Sequence, residues 1–120
     1  MNIKKFLVGW GASWFLLALV HGFLMSSRIP ELTSFEKSAH SHLLCLATTC
    51  ILVGLAQPMV KLSNKFQDIS AWLLASGTVV LPIGILLQIT GSAALTAIPI
   101  IGAISFILGF LGFLVGILKA

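Results

Sequence analysis

Four long apolar runs, separated by short polar segments, set the pattern of this chain. The runs cover about 6–26, 39–57, 69–89 and 93–118, and none of them contains Asp, Glu, Lys or Arg. Each is close to or above the ~20 mostly apolar residues that a helix needs to cross a bilayer. Arg28, Pro30, Glu31, Glu36 and Lys37 mark the first polar segment. Pro58 closes the second run, and Lys61, Ser63, Asn64, Lys65, Gln67 and Asp68 follow it. Thr90, Gly91 and Ser92 make a tight turn between the last two runs. Within lipid every backbone amide must find a partner in its own segment, which selects helices. A barrel would instead need segments of about ten residues that alternate in polarity, and these runs do not alternate. The pattern predicts an all-α, single-domain integral membrane protein, a bundle of four transmembrane helices.

Composition sharpens this picture. Of the 120 residues 58% are hydrophobic and 8% charged, against roughly 25% charged in a soluble domain. The lipid bilayer is therefore the expected surroundings. The seven basic residues sit at the ends of the runs and form no face or stripe, which argues against nucleic acid as a partner. With the N-terminus inside, Lys4, Lys5, Lys61, Lys65 and Lys119 share the inner face, and Arg28 and Lys37 the outer. That excess predicts both ends on the cytoplasmic side. Lys4 and Lys5 ahead of an apolar run resemble a signal peptide, but the run exceeds the usual stretch of about 7–15 residues and no small-x-small site closes it. An uncleaved first helix is expected.

Small residues predict where the helices meet. Gly102, Ser105, Gly109, Gly112 and Gly116 recur at intervals of 3, 4, 3 and 4, a heptad seam that lets a neighbouring backbone approach. Ser70, Gly77 and Gly84 form a similar row in the third run. Packing inside one bundle is the first reading of the seam. The second is a docking face for another copy or a larger membrane complex. Phe106, Phe110 and Phe113 fall away from this seam and are expected to face lipid. Pro82 and Pro99 lie inside apolar runs, where proline kinks a helix. Trp10, Trp14 and Trp72 read as packing or interfacial anchors. Cys45 and Cys50 point in different directions on one helix, so core packing is expected rather than a disulfide.

The residues with chemical promise are His21, His40 and His42, because titratable groups in a membrane are costly and often functional. His21 lies about five residues before the outer end of the first run, roughly 8 Å below the rim. His40 and His42 are expected in the first turn of the second helix, also in the outer leaflet. Residues two apart on a helix point about 200° apart, so only one of this pair can face His21. Ala47 and Gly54 on its face favour His40, and Cys45 and Thr49 favour His42. Met25 lies four residues after His21 on the same face. Imidazole and thioether ligands suit copper, and two imidazoles on facing helices suit a b-type haem. Plainer readings are a hydrogen bond between helices, or a quinone or proton-handling site. The acids Glu31, Glu36 and Asp68 are all in loops. No paired carboxylate, nucleophile elbow or phosphate-cradling loop points to an enzyme.

The segments HGFLMSS (21–27) and AHSHLLCLATTCILVGL (39–55) resemble a group of small bacterial membrane proteins. These carry His-Gly near the end of the first helix and an H-x-H-L start to the second. They are similar in turn to haem-copper-oxidase-like proteins of the nitric-oxide-related NnrS type. The resemblance implies a bacterial inner membrane, with His21, His40 and His42 as ligands. Cys45 and Ala47 depart from it, standing where Asn and Gly are expected, and 71–77 lacks a further histidine. The leading expectation is a small membrane protein that holds haem or a metal ion near the outer face. The alternatives are a non-catalytic subunit or assembly factor docking through the fourth helix, and a small transporter or channel module.

Overall fold

The computed structural model describes residues 1–119. Its four long helices are α1 (Ile3–Ser26), α2 (Ser34–Ala56), α3 (Asn64–Leu87) and α4 (Ala97–Leu118). Short 3-10 turns at Ile29–Glu31, Gln57–Met59, Gln88–Thr90 and Ala93–Leu95 join them, and no strand occurs among the described residues. By length and composition all four helices are able to cross a membrane. A helix of this length reaches roughly 33–36 Å, enough for the ~30 Å hydrocarbon core.

All four helix starts differ from the expected 6, 39, 69 and 93; α1 begins at Ile3 and α3 at Asn64, so Asp68, expected in a loop, lies in the first turns of α3. α2 begins at Ser34, five residues before the expected 39. Thr33 and Glu36 form a capping box: the Thr33 hydroxyl accepts from the Glu36 amide at 3.2 Å, and Glu36 Oε2 accepts from the Thr33 amide at 2.9 Å. The charges that read as loop are the cap of the helix. His40 and His42 consequently lie in its second and third turns, not its first. α4 begins at Ala97, so Pro99 is its third residue. At that position no intrahelical bond is lost, and no kink follows from it. Pro82 does lie inside α3. Gly91, at φ +71°, turns the chain between α3 and α4, a backbone region glycine enters without steric cost.

The helices alternate in direction and pair as two hairpins, α1 with α2 and α3 with α4, with α3 also against α2 and, more lightly, α1. Both termini and the α2–α3 connection thus share one end. There Lys61 N donates to Gly116 O at 3.0 Å, and the buried Gln67 amide donates to Leu62 O at 2.9 Å. Gln57 in turn donates to Gln67 Oε1 at 2.9 Å, so the polar connection is satisfied where it is buried.

α3 and α4 meet at the expected small residues. A Cβ on Gly109 would lie 2.5 Å from Leu74 N, one on Gly77 2.6 Å from Phe106 N, and one on Gly84 2.5 Å from Pro99 N. Gly102 sits against Leu81, Gly112 against the Ser70 hydroxyl, and Gly116 against Val60 and Leu62. Ser105 Oγ donates to Leu73 O at 3.0 Å and lies 2.8 Å from Ser76 Oγ. The expected orientation of Phe113 is corrected: it is 1% exposed and part of the core with Leu7, Cys50, Val53 and Leu74. Phe106 is half-buried against that core, and Phe110 does face outward. The buried ridge of α4 runs Gly102, Phe106, Gly109, Phe113, Gly116, because the adjoining line of the same heptad is the one that turns toward the other hairpin.

Between the hairpins Cys50 Sγ lies 3.1 Å from the buried Thr78 hydroxyl. Trp10 Nε1 donates to Ala75 O at 3.1 Å, and Phe6 packs between Trp10 and Trp72. Cys50 is a core residue as expected, whereas Cys45 is exposed.

Candidate functional site

α1 and α2 also close on small residues. A Cβ on Gly11 would lie 2.6 Å from Ala47 O, and one on Gly54 2.9 Å from Val8. Toward the far end of this seam the contact changes character. Gly22 lies against the His40 ring: a Cβ there would stand 2.8 Å from Cε1 and 3.1 Å from Nε2. The His21 ring sits beside it, with centroids 5.6 Å apart and planes inclined by 53°. Both imidazoles are half-buried. His40 Nδ1 is buried with no hydrogen-bond partner, a state that costs free energy unless something else occupies the nitrogen.

The choice between His40 and His42 is therefore settled geometrically. His40 faces α1. His42 is exposed, and its Nδ1 donates to Ser38 O one turn back at 2.7 Å. A carbonyl only accepts, so Nδ1 is the donor in this bond. The structure brings His21 and His40 together and places His42 on the exposed side of α2, as the spacing of two required. Among the described residues no group of three or more His, Cys, Asp or Glu side chains is arranged to hold a metal. Met25 is buried on α1, one turn beyond His21. Above the pair, Arg28 reaches Glu36 at 3.5 Å, with Glu36 also bound into the α2 cap.

A porphyrin between the rings would require the His40 ring, which lies where a methyl on Gly22 would stand, to move. Two imidazoles on one ion, bound at about 2.0–2.1 Å, would set their ring centroids about 5–6 Å apart, and those of His21 and His40 stand 5.6 Å apart. Met25 is the soft group on the same helix face that would complete the set.

The residue that sequence reasoning missed is Gly22. Its signal was present as the line Gly11, Ala18, Gly22 on α1, at intervals of 7 and 4, which marks the face turned to α2. The glycine seam of α4 was expected either to pack internally or to dock a partner. Gly102, Gly109, Gly112 and Gly116 are all covered by α3 or the Val60–Leu62 connection, so docking through them would require displacing part of this chain. In comparisons with known proteins, no family model, no curated protein and no solved structure matches the chain.

Proposed function

We propose that this chain is a four-span protein of the bacterial inner membrane, with both ends in the cytoplasm, that holds a soft metal ion, copper(I), between His21 and His40 in the outer leaflet. Membrane insertion is supported by four helices of sufficient length and apolarity. The orientation is supported by the basic residues: Lys4, Lys5, Lys61, Lys65 and Lys119 belong to the end that carries the termini and the α2–α3 connection, as the loop-charge rule requires of a cytoplasmic face. The observation that carries the metal reading is the buried, unpartnered His40 Nδ1 beside the His21 ring. A neutral imidazole pair with a thioether nearby selects a soft ion over a hard one. Its role is binding rather than catalysis.

Metal analysis and an absorbance spectrum of the protein purified in mild detergent, then offered copper(I), test this reading. One equivalent of copper is expected for the native chain and for His42→Ala. His40→Ala and His21→Ala should each lose it by at least about tenfold, one lost ligand costing more than 1.4 kcal/mol. A protein that stays metal-free, or that loses copper equally in His42→Ala, overturns the reading. A Soret band with stoichiometric iron would move the function to haem.

A further inference from the structure

α2 and α4 each pack on α3 rather than on each other. Between them lies an open apolar groove of about 510 Å³. Leu52, Val53 and Ala56 form its α2 wall, and Phe106, Phe110 and Leu114 its α4 wall, with the buried Phe113 beneath. It begins at Thr49, the sixteenth of the 23 residues of α2, and runs to Ala56, where α2 ends. The Thr49 hydroxyl is spent on Cys45 O at 2.9 Å, so it asks nothing of an occupant. The groove therefore lies in one half of the span, toward the α2–α3 connection.

The end it reaches is cationic. The α2–α3 connection crosses below the last turn of α4: Lys61 N donates to Gly116 O at 3.0 Å, and Val60 and Leu62 pack on Gly116. Val60 shares the core with Val53 and Phe113 of the groove, which sets Lys61 at the groove's closed end. Lys119 caps α4 two residues after Ile117, which also lines the groove. Both lysines are exposed, and long lysine stems carry the ammonium along apolar surface to headgroup level. Asp68, the acid of this end, lies on the α1 side with Met1 and Asn2.

A partner helix is a poor match for this groove. Close approach of a second backbone needs small residues, and the bulky Leu52, Phe110 and Leu114 form the walls. A flexible hydrocarbon chain fills an irregular apolar hollow without that demand. Basic pockets between transmembrane helices on the cytoplasmic side suit the headgroup of an anionic lipid. We infer that the α2–α4 groove binds an acyl chain of an anionic phospholipid, with the lipid phosphate held by Lys61 and Lys119. The inference rests on the membrane insertion proposed above and not on the metal site.

The test is mass spectrometry of the intact chain released from mild detergent, after incubation with phosphatidylglycerol or phosphatidylethanolamine of identical acyl chains. One retained phosphatidylglycerol is expected, favoured over phosphatidylethanolamine by at least about fivefold. Lys119→Gln and Lys61→Gln should each lower its retention by about fivefold, the weight of one lysine beside an anionic lipid. Leu52→Trp, at a position already 60% exposed, fills the groove and should abolish retention with the melting profile unchanged. Leu19→Trp, on the outward face of α1, should leave retention intact. Glycerol phosphate, a head without chains, should not displace the lipid. Equal retention of the two lipids, or retention indifferent to Leu52→Trp, would overturn the inference. So would a second polypeptide that occupies the groove and leaves in Leu52→Trp. Those outcomes leave insertion standing, whereas release of the chain from membranes by alkaline carbonate would overturn insertion itself.

Discussion

The α1–α2 and α3–α4 hairpins close by the same physical device and reach different results. In both, small residues bring two backbones together, and lipid gives no hydrophobic drive to do so. Between α3 and α4 Gly109, Gly77 and Gly84 rest on the backbone of Leu74, Phe106 and Pro99, and Gly112 on the Ser70 side chain. Nothing in that seam titrates, and its hydroxyls pair with each other or with carbonyls, as Ser105 does with Ser76 and Leu73 O. Between α1 and α2 the seam begins the same way at Gly11 and Gly54, then ends with Gly22 beneath an imidazole whose Nδ1 is unpartnered. A glycine against backbone fixes a helix pair. A glycine against a side chain makes room for that side chain, and the room is where chemistry can enter.

The largest expected effect lies in the α3–α4 seam. Gly109→Leu drives a side chain into the Leu74 backbone, which cannot turn aside. A loss of about 3 kcal/mol or more is expected, seen as a lower unfolding midpoint in mild detergent. Gly9→Leu is the matched control, because nothing lies within 4 Å of a Cβ at Gly9. If the two variants unfold alike, the seam does not hold the hairpin together.

The α1–α2 seam should respond differently to the same kind of change. Gly22→Ala meets the outer atoms of His40, which is able to swing, so the cost is expected at about 1 kcal/mol. The imidazole should move even though the fold survives. Its ring resonances should shift, and copper uptake should fall while thermal stability changes little. A large loss of stability with unchanged ring resonances would mean that Gly22 fixes the helix pair just as Gly109 does, and the contrast between the hairpins would fail.

Much of this contrast was open to sequence reasoning, and the parts that were not share a cause. The four spans, the Gly91 turn and the glycine row of α4 follow from demands that lipid places on a single segment. The start of α2 was missed because Glu36 and Lys37 read as loop, although Thr33 with Glu36 spells a capping box. Phe113 was misplaced because a heptad contains two adjacent lines, 102–105–109–112–116 and 102–106–109–113–116. Only the position of the second hairpin decides which of them is buried. The same holds for His40 against His42. Each has small or polar neighbours on its own helix, and the deciding residue, Gly22, is on the other one. Properties of one helix were legible, whereas properties of a helix pair required the packing.

The smallest expected effect concerns the joint between the hairpins. The Thr78 hydroxyl donates to Leu74 O at 2.9 Å, so the Cys50 thiol, 3.1 Å away, must be the donor between them. Thr78→Val keeps the shape and removes the acceptor. Interhelical hydrogen bonds in membranes average about 0.6 kcal/mol, and a loss of that size is expected, with Cys50→Ala closing a double-mutant cycle. The rest of the joint is the Trp10 Nε1 bond to Ala75 O and packing, with Leu7 and Val53 on one side against Ala71, Leu74 and Phe113 on the other. A coupling near zero would leave that bond and the packing to hold the hairpins together. A coupling above about 2 kcal/mol exceeds what such bonds give, and would make the Cys50–Thr78 contact the chief polar link between the hairpins.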